Sequence, residues 1–184
     1  MLPEKCPEKQ VGIIVDNYNL YKSTKNAQEK GLVKGEIDYV KLRNTFSCGG
    51  ELKYFKVYIT TSPEEEGSEG MKSFTSFLRA IGADPVTKSP RLINTDNGKT
   101  IKKGDLDVEM TVDILEYLAK EENHLDKIVL LSGDSDFIYL LQALKKKGSE
   151  EIVVASTKDS LAYDLAQEAD QVYFLEEIWE KIKR

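Results

Sequence analysis

The stretch KIVLLSGDSDFIYLLQALKKKG, residues 127–148, decides how the chain is read. Its apolar run Ile128, Val129, Leu130 and Leu131 is short, partly β-branched and followed by Ser-Gly, which suits a strand buried on both faces of a parallel sheet. Asp134 and Asp136 come directly after it. Phe137, Leu140, Leu141 and Leu144 then recur at spacings of three and four, which predicts a helix with one apolar face. Gly148 closes that helix behind Lys145, Lys146 and Lys147, whose charge suits the negative end of the helix dipole.

One reading of Asp134, Ser135 and Asp136 is helix capping, since a side-chain oxygen at a helix start satisfies unpaired backbone amides. A single cap needs a single acceptor, however, and two carboxylates this close repel one another unless a cation or protons intervene. The sharper reading is half of a metal site.

A second apolar strand, VGIIV at 11–15, breaks at Asp16-Asn17-Tyr18-Asn19, so again a carboxylate follows the strand. Residues 20–31 are polar and fit a helix or a loop. Asp38 is placed to cap a helix carrying Val40, Leu42 and Phe46 that stops near Cys48-Gly49-Gly50. A strand is expected at 53–61, an acidic loop at 62–70 and a helix at 71–81, with Phe74, Phe77, Leu78 and Ile81 on its packing face. Short strand-like pieces at 84–104 flank Asp96-Asn97-Gly98, whose Asn-Gly pair favours a hairpin. Past the central stretch, a strand at 151–156, a helix capped by Ser160 and running through Ala166, a strand at 172–175 and a C-terminal helix with Trp179 complete the order. Strands and helices alternate, which predicts a central, mostly parallel sheet flanked by helices.

A helix from Asp105 to Glu121 holds a further acid. With Asp107 at 0° and about 100° per residue, Leu118, Thr111, Leu115, Val108, Val112 and Ile114 all fall between about 340° and 140°. Glu109, Asp113, Glu116 and Lys120 cluster at about 180–240°. Asp113 is thus expected to face water, and Asp107 to face the sheet, where a carboxylate is costly unless paired, capping or metal-bound. Its bland role is an N-cap; Asp105 is the other candidate for that cap.

With 184 residues, 40% of them hydrophobic, the chain suits one substantial core. We expect a lead-in at 1–10 and a single domain over 11–184. It holds no run of eighteen apolar residues and no apolar stretch of signal-peptide type at the N-terminus, so a cytoplasmic protein without membrane contact is expected. Cys6 and Cys48 lack zinc spacing and read as reduced thiols. The lone His124 reads as a surface residue. The net charge of −6 argues at first against a nucleic-acid partner, because phosphates are held mainly by Lys and Arg. Carboxylates awaiting divalent ions weaken that objection, and Lys88, Arg91, Lys99, Lys102 and Lys103 form a local basic excess.

In open parallel sheets ligands bind beyond the carboxyl ends of strands, where the strand order reverses. If the strands before Asp16 and Asp134 are neighbours, Asp16, Asp107, Asp134 and Asp136 converge there. Oxygen ligands without a His or Cys cluster select Mg²⁺ or Mn²⁺ over zinc. Such ions activate water and stabilise the leaving oxygen of a phosphodiester.

The combination VDNYNL (15–20), KKGDLDVEMTVDIL (102–115), VLLSGDSDFIYLL (129–141) and SLAYDLAQEAD (160–170) resembles the NYN domain, in its LabA-like branch, a relative of PIN-domain nucleases. The resemblance spans roughly residues 11–175. It implies a PIN-like three-layer α/β/α sandwich and divalent-metal-dependent hydrolysis of RNA, with single strands as the expected partner. It carries the acidic site onto Asp16, Asp107, Asp134 and Asp136. It casts Asn17, Asn19, Ser132 and Lys103 as groups that support the acids or contact phosphate. Asp113 matches an acid frequent in the family, against the wheel. Two residues stand between Gly104 and Asp107 where one is expected, so Asp105 stays a candidate for a shared role.

The rival on the same fold is a non-catalytic RNA- or protein-binding module that retains its carboxylates as caps. A haloacid-dehalogenase phosphatase would also place Asp-x-Asp after a strand, but it expects Thr or Val two places beyond the second Asp, and here Phe137 follows and the motif lies late in the chain. Tyr18, Tyr21 and Tyr39 are candidates for base stacking or for a homo-oligomer contact, beside the ordinary packing role of such rings.

Overall fold

A computed structural model describes residues 9–62, 64–89 and 106–184, and the backbone alone of 91–94 and 100–103. Two apolar pentapeptides, VGIIV and KIVLL, lie side by side at its centre. The first belongs to β1 (Gln10–Asp16) and the second to β6 (Lys127–Leu131). They pair in parallel from Val11↔Lys127 to Val15↔Leu131. Both carry large β-branched or Leu side chains on alternate faces, and all ten residues are buried, as a strand covered on both sides requires.

From β1 the chain steps outward through β2 (Glu51–Thr60) to β3 (Asp84–Lys88). It then returns to the other side of β1 through β6, β7 (Glu151–Ser156) and β8 (Gln171–Phe174). The resulting order β3-β2-β1-β6-β7-β8 is parallel throughout. Right-handed crossovers moving in opposite directions put their helices on opposite faces. One face packs Val11, Ile13, Val15, Val129 and Leu131 against α1 (Asn17–Glu29), α2 (Tyr39–Ser47), α3 (Glu69–Ala80) and α7 (Leu175–Ile182). The other packs Ile14, Ile128, Leu130, Ile152 and Val154 against α4 (Asp107–Tyr117), α5 (Ile138–Lys146) and α6 (Tyr163–Glu168). The three layers are those of a PIN-like α/β/α sandwich.

The polar stretch after Asp16 is a helix, α1. Leu20, Ser23, Thr24 and Ala27 make its buried stripe, and the Thr24 hydroxyl is satisfied by the Leu20 carbonyl at 2.7 Å. So few large apolar residues suffice because small ones let the helix lie close to the sheet. Asp38 caps α2 as expected, accepting from the amides of Val40 and Lys41. The expected hairpin is present as β4 (Arg91–Asn94) antiparallel to β5 (Thr100–Lys103); its Asp96-Asn97-Gly98 turn lies outside the described residues. Ser160 does not cap a helix; α6 begins at Tyr163 behind Ala162 without a side-chain cap.

The largest departure concerns α4. Its buried residues are Met110 and Ile114, whereas Val108 and Val112 are 68% and 44% exposed. On the wheel this centres the packed arc near about 300°, between Tyr117 and Ile114, and not near 60°. Met110, at the centre of the arc, and Leu106, at its edge, are decided by packing with Leu130, Phe137 and Leu140 in the same core. Asp113 therefore lies against the sheet edge and not in water. It accepts hydrogen bonds from Lys56 Nζ at 2.8 Å and Tyr58 Oη at 2.9 Å.

Close packing at two glycines gives a contrast. A Cβ on Gly133 would stand 2.3 Å from the Ser160 carbonyl oxygen and 2.6 Å from Ser156 Oγ, while one on Gly12 would meet only the Leu125 Cδ1 methyl at 2.7 Å. Backbone cannot swing aside, whereas a leucine tip can. Gly133→Ala should cost about 2 kcal/mol and Gly12→Ala less than about 1 kcal/mol, as overpacking usually does. Urea denaturation midpoints check this, and equal losses at both positions would contradict it.

Candidate active site

The strand order reverses between β1 and β6, and the crevice beyond their carboxyl ends is where such sheets hold ligands. Asp16 ends β1. Alternation along the strand puts it on the face of Ile14, and one more step of the register sets it opposite Ser132. The Ser132 hydroxyl donates to Asp16 Oδ2 at 3.0 Å, while the Asp134 amide donates to that hydroxyl oxygen at 3.3 Å. Asn19, in the first turn of α1, accepts from the Gly133 amide through Oδ1 at 3.1 Å. The two strand-to-helix junctions are thus laced together by side chains from both.

Each strand-end acid also caps the helical turn that begins after it. Asp16 Oδ1 accepts from the Asn19 amide at 3.0 Å, and Asp134 Oδ1 from the Asp136 amide at 3.0 Å, starting a 3₁₀ turn over Ser135–Phe137. Capping uses one oxygen of each. Asp134 Oδ2 accepts no hydrogen bond among the described residues, so capping does not exhaust these acids.

Asp16 is half-buried, and this burial raises its carboxyl above the ordinary aspartate range. Hydrogen bonds from the Asn19 amide and Ser132 pull the other way, and the charge of Asp134 adds to the rise. The site therefore carries more negative charge than its surroundings solvate comfortably.

The remaining sequence candidates fall at different distances from this pair. Asp136 follows on the 3₁₀ turn with its side chain exposed. Asp107 is the first residue of α4, half-buried; because Leu106 occupies the cap position without a side-chain bond, Asp107 is not the N-cap. The helix precedes β6 and so runs against the strands, which places Asp107 at the same carboxyl edge, where α4 meets the 3₁₀ turn. Asn17 is turned away and accepts from the Tyr39 hydroxyl, lining a cleft of about 450 Å³ along α1. Asp113 is engaged by Lys56 and Tyr58, on β2. Asp105 and the Lys103 side chain lie outside the described residues. Among the described residues, no three His, Cys, Asp or Glu side chains form a group set to hold a metal ion.

The basic excess is smaller than its sequence suggests, because Lys88 pairs with Glu109 on α4, which holds the Glu109 carboxyl below its usual range. Sequence reasoning missed two hydroxyls. Ser156 Oγ and Thr157 Oγ1, at the carboxyl end of β7, are buried with no hydrogen-bond partner among the described residues. Ser156 lies against Gly133. The signal is present in EIVVAST, where the apolar run Ile152–Ala155 ends in hydroxyls at the same edge as Ser132. His124 sits on the surface against Asp126 at 2.9 Å, as expected, and the Cys48 thiol donates to the Thr45 carbonyl at 3.3 Å, while Cys6 lies outside the described residues.

A family model for the NYN domain matches residues 10–176. The Low amplitude and bright protein LabA of Synechococcus elongatus is 25% identical over 171 residues, which cover 92% of this chain and 85% of that protein. An uncharacterised protein of Methanocaldococcus jannaschii is 24% identical over 149 residues, 81% of this chain and 48% of its own length. The crystal structure of a Vibrio parahaemolyticus protein of unknown function has the same fold, with a TM-score of 0.75 at 22% identity over 96% of this chain and 97% of that one. With a parallel six-stranded sheet, acids at its switch point and a family match across nearly its whole length, this chain belongs to the NYN domain family, a PIN-like nuclease family.

Proposed function

We propose that the chain is a ribonuclease that hydrolyses single-stranded RNA with the help of Mg²⁺ or Mn²⁺ held at the carboxyl edge between β1 and β6. The observation that carries this reading is Asp16, a half-buried acid whose ionisation is disfavoured by burial and by Asp134 beside it. A fixed divalent cation offsets both costs, and the donors at hand are hard oxygens, which fit these ions. PIN-like nuclease domains generally use divalent metals.

Asp16 and Asp134 would hold the ion, and Asp107 on α4 and Asp136 on the 3₁₀ turn, which are not grouped with them in the metal-free chain, would have to move in to complete its ligands. When bound, the ion supplies an activated water and charge stabilisation at the leaving oxygen. The chain supplies the rest. Ser132 fixes the rotamer of Asp16, and Asn19 holds the Gly133 amide so that Asp134 cannot drift. Positioning of this kind matters because a displacement of about 1 Å at the reacting centre can cost about a hundredfold in rate.

Thermal unfolding during Mn²⁺ titration should show stabilisation that vanishes in Asp134→Asn, because only the folded state binds the ion. Degradation of a labelled single-stranded RNA should need metal and be lost in Asp16→Asn. RNA left intact by clean protein, with no metal-induced shift, would favour a non-catalytic binding module.

Stability should also depend on pH. A carboxyl whose value is raised on folding keeps a proton that the unfolded chain has already lost, so stability falls as pH rises through that interval. Asp16→Asn removes this cost and should stabilise the metal-free protein at pH 7 by about 1 kcal/mol. The gain should fade as pH falls below about 4 and be gone near about pH 3, where Asp16 is largely neutral in both states. Denaturation curves at the two pH values read the difference directly, and a destabilised variant at pH 7 would refute the electrostatic account.

A further inference from the structure

Of the nine tyrosines in the chain, four are exposed: Tyr18 at 56%, Tyr21 at 61%, Tyr139 at 81% and Tyr163 at 75%. Every one of them lies in the first two turns of a helix that leaves the carboxyl edge of the sheet, namely α1, α5 and α6. Their backbones are tied to the acidic site. Tyr18 is two residues from Asp16, Tyr139 three from Asp136, and Tyr163 follows Ala162, whose amide donates to the Gly133 carbonyl at 2.9 Å. Tyr39, Tyr54, Tyr58, Tyr117 and Tyr173 are used inside the fold: Tyr39 against Phe74, Tyr173 against Phe46, Tyr54 against Tyr117, and Tyr58 through a hydroxyl bond with Tyr54.

Burying an aromatic ring is worth more than exposing it, so four open rings gathered on one edge are not explained by packing. Charge separates the two sides. On α1, Lys25 Nζ stands 5.7 Å from the Tyr21 ring centre and Lys22 Nζ 6.0 Å from that of Tyr18. Neither lysine forms an ion pair with a carboxylate among the described residues, in a chain of net charge −6. Tyr21, Lys25, Tyr18 and Lys22 fall in sequence around about 100° of the helix surface, so rings and cations alternate on one strip.

We propose that these tyrosines are stacking platforms for the bases of a single RNA strand laid across the carboxyl edge. Tyr18 and Tyr21 receive it on one side of the Asp16–Asp134 site and Tyr139 and Tyr163 on the other, with Lys22 and Lys25 meeting its phosphates on the α1 side. The nature of the ligand rests on the ribonuclease reading; the path across the surface rests on the rings. Aromatic faces accept any base, and the bases must be unstacked to reach them, which selects single strands over duplexes.

The test is carried out in Asp134→Asn, which is expected to leave RNA uncut, using fluorescence anisotropy with a labelled oligouridylate of roughly twelve nucleotides, within the span of one such site. Tyr21→Ala and Tyr139→Ala should each raise Kd by about tenfold, as loss of one stacked base does, while the Tyr→Phe versions keep the parent affinity. Lys22→Ala with Lys25→Ala should lower the slope of log Kd against log salt by about 1.4, two single-strand phosphate contacts' worth. All these side chains are exposed, so thermal midpoints should stay at the parent value. If the parent binds and every tyrosine variant binds equally well, the path is wrong while the ribonuclease reading stands. An abasic strand that binds as tightly as oligouridylate, or polyglutamate that competes as well as RNA, would also overturn stacking. A parent that binds no RNA overturns the stacking path, and the ribonuclease reading falls with it only if the unsubstituted chain also leaves RNA uncut in Mn²⁺.

Discussion

The hydroxyl of Ser132 is the join on which the rest of the site depends. It gives its proton to Asp16 and takes one from the Asp134 amide, so a single small side chain couples the carboxyl ends of two neighbouring strands. Serine can do this because it is donor and acceptor at once. It lies in place because β1 and β6 pair in register up to Val15↔Leu131, which leaves Asp16 and Ser132 facing each other on the same side of the sheet. The adjacent Gly133 is required by the same crowding: its Cα lies so close to Ser156 and the Ser160 carbonyl that no side chain fits. The apolar pairing of two five-residue strands thus ends in a polar knot whose geometry is set by the sheet itself.

The knot carries an electrostatic cost. Asp16 is half-buried beside a second acid, and hydrogen bonds from the Asn19 amide and Ser132 recover only part of what burial takes away. Proteins keep such arrangements chiefly where function uses them, since an apolar or amide side chain would be more comfortable. The contrast with Asp113 is instructive. That acid is met on Oδ2 by both Lys56 and Tyr58, so its charge is answered within the fold by a cation, which Asp16 lacks among the described residues. Two acids on one face of the chain therefore have opposite meanings, and the difference lies in their partners.

Helix α4 shows how a small rotation changes such assignments. Six apolar side chains on a short helix admit more than one buried arc, and periodicity alone does not choose between them. Contact with Phe137, Leu130 and Leu140 selects Met110 and Ile114 and leaves Val108 and Val112 at the surface. The rotation brings Asp113 onto the sheet edge while leaving Asp107 half-buried at the helix start. The exposed valines add apolar surface near the same edge that carries the open tyrosines.

By itself the sequence determined the sandwich and the positions of its acids. Fully apolar runs such as VGIIV, KIVLL and EIVVAS have few ways to be buried other than as central parallel strands, and an aspartate directly after such a run must emerge at a strand end. The motif spacing was equally legible, because capping and strand termination act within a few residues. Which strands are neighbours, and therefore that Ser132 reaches Asp16, was decided only by the tertiary fold, since it depends on residues more than a hundred positions apart. The same holds for Asn17 turning to Tyr39, for Lys88 meeting Glu109 and for the burial of the Ser156 and Thr157 hydroxyls. Local pattern fixes what each segment is, but the partner of a side chain is set by packing across the sheet, which no window of sequence contains.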